Sequence, residues 1–354
     1  MKIKKIDLNN FMIFNKLDVE FSPNINIISG ENSTGKTALI KALYACIKGY
    51  GNGASYKNDI TKDRTEMELV SKFQGVFRPE KNKIGRLVNR RQGNNNAELN
   101  IIFENKGNLS IGFGSRQEKH FEINSNQINE LVNTSAVYIP PKEIISASEN
   151  FVSLYADYHI AFEETYYDLA RLLERPLKKG PNTNQQNRVL KEFERILNGK
   201  ISQKDRNFYL NVKGAGEFEM GLVSEGYRKL STIMYLISSG SLSSDSILFW
   251  DEPETNMNPK MIQPMVDAII ELAKMGVQVF ITTHDYFVQQ CFDMDNRYRK
   301  DPKNSLDYRF ISLYKCDEGI KCEFKKELGE LEHNSVMEEF DNLYDREQEY
   351  MYGC

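Results

Sequence analysis

Little in this 354-residue sequence invites a membrane, a disulfide framework or a zinc site. No apolar run approaches the ~20 residues of a bilayer-spanning helix, so no membrane partner is expected. The opening Met1-Lys2-Ile3-Lys4-Lys5-Ile6 lacks the apolar core of a signal peptide. Cysteine is scarce: Cys46, Cys291, Cys316, Cys322 and Cys354 form no C-x-x-C pair, and the four histidines are scattered. Neither metal-ligand spacing nor an oxidising compartment is indicated, and a reducing cytoplasm fits. Positive charge is not in excess. A formal net charge of −4 argues against a protein that coats DNA through its global field, while leaving room for a local basic patch. Internal repeats and long heptad runs are absent too.

What is present is a globular composition, 40% hydrophobic and 27% charged, with length for one large domain with insertions or for two domains. The most specific stretch is Gly30-Glu31-Asn32-Ser33-Thr34-Gly35-Lys36-Thr37, a complete G-x-x-x-x-G-K-[ST] phosphate loop. A glycine turn alone can match that pattern. Here the strand-like Ile25-Asn26-Ile27-Ile28 precedes it and a helical run, Ala38 to Leu43, follows it, as a phosphate cradle requires. Gly30 and Gly35 let the backbone curl around Asn32, Ser33 and Thr34 so that successive N–H groups point at phosphate oxygens. The N-terminus of the following helix adds positive field. Lys36 is expected on the β- and γ-phosphates and the Thr37 hydroxyl on Mg²⁺, so the cofactors implied are ATP and Mg²⁺.

Two further constellations fall at strand ends. Ser246-Ile247-Leu248-Phe249-Trp250 reads as a buried strand and delivers Asp251-Glu252-Pro253 to the carboxyl edge of a sheet, where ligands bind in open α/β folds. Asp251 is then a magnesium partner, directly or through a water. Glu252 is placed to orient or deprotonate an attacking water. Trp250, the only tryptophan, adjoins Asp251 and is expected to report nucleotide binding in its emission. Val277 to Ile281 reads as the next buried strand and ends in Thr282-Thr283-His284-Asp285. His284 there can bond the γ-phosphate or the attacking water, whereas His120, His159 and His333 read as structural or surface residues. A helix lies between these strands, the order that winds a parallel sheet. Ser224-Glu225-Gly226 precedes a helix at 231–237. Ser224 is a good N-cap, and alternatively Ser224 and the Gly226 N–H grip a γ-phosphate supplied by another subunit.

Together these motifs resemble the ABC-type ATPases of the RecF/SMC-like branch, which includes bacterial AAA-family proteins of the overcoming-lysogenization-defect type. Asn10-Phe11-Met12-Ile13-Phe14, the phosphate loop, Ser224-Glu225-Gly226, Asp251-Glu252-Pro253-Glu254 and His284 carry the resemblance, in the family's order. It implies an α/β P-loop NTPase fold: an ABC-type head with a mixed, mainly parallel core sheet, an N-terminal antiparallel β-subdomain and a helical lid. The implied division is a phosphate-loop and β-rich lobe at 1–143, a lid at 144–223, and a signature, Walker B and switch lobe at 224–354. The resemblance makes Ser224 to Gly226 the signature acting in trans, Glu252 the catalytic base, 256–259 the D-loop and His284 the switch histidine. Two heads would sandwich two ATP molecules as a homodimer or higher oligomer. The sequence departs from the family in lacking the transporter Leu-Ser-Gly-Gly-Gln. It also has no glutamine in the expected Q-loop, Val137 to Glu143, where Lys142 and Glu143 are the candidates. The 144–223 insertion is too short for a long coiled-coil arm.

The readings that compete are three. An ATPase whose dimerisation regulates a separate, nuclease-type effector in DNA processing or antiviral defence comes first, since no nuclease constellation follows His284. A RecF-like DNA-binding repair protein is the alternative. A transport ATPase is opposed by the missing transporter signature. Arg78, Lys81, Lys83, Arg86, Arg90 and Arg91, expected on a hairpin, would contact nucleic-acid phosphates or merely protect a sheet edge. The segment from Asn334 to Tyr350 reads as an acidic amphipathic helix whose Val336, Phe340 and Leu343 face is expected to pack on the parent domain.

Overall fold

The strand that leads into the phosphate loop, Ile25–Gly30, is buried at every position because sheet neighbours flank it and helices cover both faces. This computed structural model describes residues 1–54, 62–91, 93, 95–126, 134–158, 160–299 and 305–352, so His159 and Cys354 lie outside the described residues. In chain order the strands are β1 (Ile3–Phe11), β2 (Phe14–Glu20), β3 (Ile25–Gly30), β4 (Asn96–Phe103), β5 (Asn108–Gly114), β6 (Glu122–Asn126) and β7 (Ala136–Ile139). There follow β8 (Gly199–Lys204), β9 (Asn207–Val212), β10 (Gly216–Glu219), β11 (Ile247–Asp251), β12 (Gln278–Thr282), β13 (Tyr308–Cys316) and β14 (Gly319–Lys325). The helices are α1 (Lys36–Ala54), α2 (Lys62–Phe77), α3 (Phe151–Tyr158), α4 (Glu164–Leu173), α5 (Asn184–Leu197), α6 (Glu225–Ser238), α7 (Ile262–Lys274), α8 (Tyr286–Tyr298) and α9 (Ser335–Tyr352). Among the described residues no helix is long and apolar enough to cross a membrane.

The central sheet has the order β14-β13-β3-β12-β11-β7, parallel throughout except for antiparallel β14 at one edge. Parallel strands buried on both faces divide the core into two layers. Ile247 and Phe249 join the layer containing α1, while Leu248 and Trp250 join the layer containing α6 and α7. The phosphate-loop strand and the Asp251 strand are separated by β12, with Asp251 opposite Thr282 and Thr282 opposite Ile28. That register brings three strand ends to one rim. A second, antiparallel sheet, β2-β1-β4-β5-β6, packs beside it as the N-terminal β-subdomain. Its strands alternate buried and exposed positions, the mark of a sheet with one wetted face.

Several local expectations give way to the structure. The sequence from about Glu66 to Asn124 reads as strand-like, but its first part lies in α2, whose buried Leu69, Val70, Phe73 and Val76 recur at helical spacing. Lys178 to Asn187 reads as a polar linker, yet it contains the start of α5, fixed by a capping box. There Gln186 N donates to Thr183 Oγ1 (3.1 Å) and Thr183 N to Gln186 Oε1 (3.0 Å). The lid segment also carries a three-stranded antiparallel sheet, β10-β9-β8, which short alternating runs had concealed. The basic run at 78–91 is no hairpin. It follows two short 3-10 turns, Glu80–Asn82 and Ile84–Leu87, with Arg86 paired to Glu80 at 2.8 Å and Lys83 paired to Glu118.

The largest correction concerns α9. It buries none of its residues, and it meets the domain where Phe340 stacks on Tyr286 (centroids 4.9 Å apart) and Gln290 reaches the Met337 sulfur at 3.8 Å. Just ahead of it, the Asn334 amide donates to Gln289 Oε1 at 2.8 Å. Most of this helix stands clear.

Candidate active site

The loop between β3 and α1 has a shape that side chains forbid at two places. Gly30 has φ +143°, and a Cβ there would lie 2.2 Å from the Leu313 carbonyl oxygen. Gly35 has φ +94°, and its Cβ would meet the Phe14 ring at 2.4 Å. Between them Ser33 adopts φ 64° and the buried Thr34 donates its hydroxyl to the Glu31 carbonyl at 2.9 Å. The loop is therefore tied internally, with Asn32, Ser33 and Gly35 lining the adjoining cleft. Lys36 is buried and folds back over the loop, donating to the carbonyls of Gly30 (2.8 Å) and Glu31 (2.9 Å). Burial pushes this ammonium down to about 8, against the pull of Glu252, Asp251, Glu254 and Glu31.

Asp251 ends β11 almost fully buried and accepts three hydroxyls. Thr37 Oγ1 is at 3.0 Å, Tyr138 OH at 2.9 Å and Thr282 Oγ1 at 2.5 Å. Desolvation nonetheless raises its carboxyl above the usual range, the three donors opposing that shift. A buried carboxylate beside a threonine hydroxyl is the oxygen donor set that a hard divalent cation takes. Glu252, one residue on, turns out of the strand with φ 47° and is held by its N–H on Thr282 Oγ1 (3.1 Å). Its Oε1 lies 3.2 Å from Nε2 of His284, and Thr255 Oγ1 donates to its Oε2 at 3.3 Å. Burial and the nearby Lys36 hold His284 below the ordinary histidine value, with Glu252 pulling the other way. A neutral imidazole facing a carboxylate carries its proton on Nε2. The loop bearing His284 is anchored in turn by Glu254, whose Oε1 accepts from Thr283 Oγ1 (2.7 Å) and His284 N (3.1 Å).

Beside these groups opens a cleft of about 490 Å³, of a size for a small-molecule ligand. Its polar wall includes Asn32, Ser33, Lys36, Thr37, Glu252 and His284, and an apolar wall comes from Met12, Ile13, Val76 and Phe77. Lys41 and Glu163, paired at 2.7 Å, close one side. Gly30 instead lines a neighbouring cleft, and Thr34 lines neither. Trp250 points into the opposite layer from Asp251.

Ser224 and Gly226 do not line this cleft. Ser224 is exposed and occupies the N-cap position of α6, though its hydroxyl makes no capping bond. Gly226 is buried against Met257. Three side chains not singled out in the sequence connect α6 and β7 to the cleft. Tyr138 bonds Asp251 across 113 residues of sequence, and Lys229 donates to the carbonyl of Thr255 at 2.8 Å. Arg228 pairs with Glu143 at 2.7 Å and bonds Ser146 Oγ at 3.0 Å, which commits Glu143 to α6. No local pattern marks these roles, since each depends on a distant partner.

Comparison with known proteins places this geometry. The chain is 34% identical over 97 residues to structural maintenance of chromosomes protein 6 of Dictyostelium discoideum, covering 25% of this chain and 8% of that protein. It is 24% identical over 204 residues to the DNA replication and repair protein RecF of Clostridium perfringens, covering 56% of this chain and 46% of that one. The chain thus spans less than half the length of these curated relatives. A crystal structure of the SMC head bound to the C-winged helix domain of ScpA shares the fold, with TM-score 0.58 and 12% identity over 93% of this chain and 99% of that chain. The family model described as "AAA domain, putative AbiEii toxin, Type IV TA system" matches residues 25–288, more than half of the sequence. The chain belongs to that family and is an ATPase-type P-loop protein of the RecF/SMC-like branch.

Proposed function

We propose that this chain binds Mg·ATP in the cleft at the rim of β3, β11 and β12 and hydrolyses it within a dimer of two such heads. The observation that carries the reading is the convergence of Lys36, Thr37, Glu252 and His284 on one cleft with Asp251 hydrogen-bonded to Thr37. Lys36 would exchange its two loop carbonyls for the β- and γ-phosphates, and the amides between Gly30 and Thr37 would cradle them. Thr37 and Asp251 would hold magnesium, whose chemistry when bound is to neutralise charge developing on the phosphate oxygens. Glu252 would orient the attacking water and accept its proton as the bond from the γ-phosphorus to the bridging oxygen breaks, giving ADP and phosphate. His284 would fix the Glu252 carboxylate and sense the γ-phosphate. Ser224 and Gly226 lie away from their own cleft, which suits a contribution to the γ-phosphate of a second copy.

The finer reading is that nucleotide-gated dimerisation acts in the cytoplasm on a separate effector in DNA processing or antiviral defence. The relatives named for DNA repair, and a structural neighbour captured with a partner domain, support it. The division into lobes at 1–143, 144–223 and 224–354 belongs to the same proposal. The test is Glu252→Gln with saturating Mg·ATP in analytical ultracentrifugation. A dimer that dissociates when nucleotide is removed is expected. A monomer at saturation overturns the sandwich, and phosphate release unaffected by Lys36→Met overturns the site.

A further inference from the structure

Helix α9 spans 18 residues, about 27 Å, yet buries none of them. Its apolar stripe starts on α8, where Phe340 stacks on Tyr286, and then runs on past the domain. Along that continuation Leu343 is 55% exposed, Tyr344 59% and Met351 65%. Between 335 and 352 the sequence has six carboxylates against one arginine, so the stripe is bordered by negative charge. The first turns of α9 also line a cleft of about 500 Å³ with Gly30, Glu31 and Lys315, and that cleft shares Asn32 and His284 with the candidate active site. A body seated over the phosphate loop therefore meets α9 as well.

The same chain carries a surface of opposite character. Residues 178–213 of the lid hold nine lysines and arginines against three carboxylates. Lys191, Arg195, Lys200 and Lys213 line a groove of about 540 Å³ between α5 and the β8–β9 pair. The lid sheet runs directly into Ser224, and at that junction Leu222 stands 76% exposed. From that groove β10 runs, Gly216 opposite Val212 and Glu219 opposite Tyr209, toward Leu222 and Ser224, so in the sandwich proposed above the lid of one copy would face α9 of the other.

We propose that in the ATP-bound dimer α9 of each copy docks on the lid of the other, its stripe covering Leu222 and its carboxylates facing the lysine-lined groove. This rests on the sandwich reading above and adds a second contact to it. Opposed fields of this kind steer association and fix register more than they add affinity, so the contact should weaken with salt. The occupant of α9 is a second copy of this chain, and the contact forms twice per dimer, as two-fold symmetry demands.

The test uses the full chain with Glu252→Gln in saturating Mg·ATP, with dimer affinity read by sedimentation. One variant carries Asp345→Lys and Glu349→Lys on α9; another carries Lys200→Glu and Lys213→Glu on the lid. None of these four residues lines the candidate active site. Each variant alone should dimerise at least tenfold more weakly. Mixed together they should form a heterodimer near parental affinity, since one junction is then native and the other has both charges exchanged. Leu343→Asp should weaken the dimer and the mixture should not rescue it. Variants that dimerise like the parent, or a mixture without recovery, overturn the docking while leaving the sandwich standing. A foreign partner on α9 would give that same outcome. A parent that stays monomeric fails the sandwich itself and the docking with it.

Discussion

Nε2 of His284 lies 3.2 Å from Oε1 of Glu252, joining the ends of two adjacent parallel strands at one carboxylate. A pair that works as a unit loses its function once, however it is broken. Glu252→Gln should lower turnover by roughly 10²–10⁴-fold, the range for removing a general base. His284→Ala should cost less, and the double variant should be no slower than Glu252→Gln alone. Phosphate-release rates at saturating ATP check this. Multiplying losses in the double variant would show that the two residues act separately.

Thr37 and Asp251 give a second separable outcome. Thr37→Val removes one of three hydroxyl donors to Asp251, and Tyr138 and Thr282 remain. The folding cost should therefore be about 1 kcal/mol or less by urea denaturation. Metal dependence should respond far more, with the magnesium concentration for half-maximal turnover rising at least tenfold. An unchanged magnesium requirement would remove Thr37 from the metal site.

The phosphate loop, Asp251-Glu252 and His284 were legible because each is a short contiguous motif at the end of an apolar run. The burial of Ile25–Gly30 and Ile247–Asp251 is what an unbroken apolar run between helices produces. Tyr138 and Lys229 were illegible for the opposite reason, since their neighbours in sequence say nothing about the carboxylate or carbonyls they meet in space. The lid sheet was hidden by short strands of mixed exposure, Gly199–Lys204 and Gly216–Glu219. The apolar face of α9 promised packing that the fold does not supply, because amphipathicity states that a face needs a partner without saying where the partner is.

Lys229 tests the coupling between α6 and the Glu252 turn. Its ammonium is buried and reaches the carbonyls of Thr255 at 2.8 Å, Glu252 at 3.4 Å and Pro253 at 3.5 Å. Burial holds it below the usual lysine range, opposed by Glu225, Glu254 and Glu252. Lys229→Met keeps the length and removes the donors. Stability should fall by about 1–3 kcal/mol, the cost of unsatisfied buried acceptors. Because the Glu252 turn, with its left-handed backbone, loses its clamp, kcat should drop while KM for ATP holds. A rise in KM at unchanged kcat would place Lys229 in nucleotide binding instead.

The buried cation at Lys72 ties α2 to α4. It reaches from α2 to Asp168 at 2.9 Å and to Glu164 on α4, and Tyr44 of α1 donates to the same Asp168 oxygen at 2.6 Å. Burial alone would lower its pKa, but Asp168 and Glu164 outweigh it and raise the ammonium above 10.5. A raised lysine stabilises the fold fully below its unfolded value and loses that contribution as pH climbs through the folded one. Lys72→Met strands the buried Asp168 and the half-buried Glu164 and should cost ~3–5 kcal/mol at neutral pH. The gap between wild type and variant should hold constant from neutral pH up to about 10 and narrow above the ordinary lysine value of 10.5. Adding Glu164→Gln and Asp168→Asn to Lys72→Met should recover most of the loss, because no unpaired charge is then buried. Urea midpoints across that pH range measure it. A gap that closes well below pH 10 would mean that the ammonium does not hold these helices together.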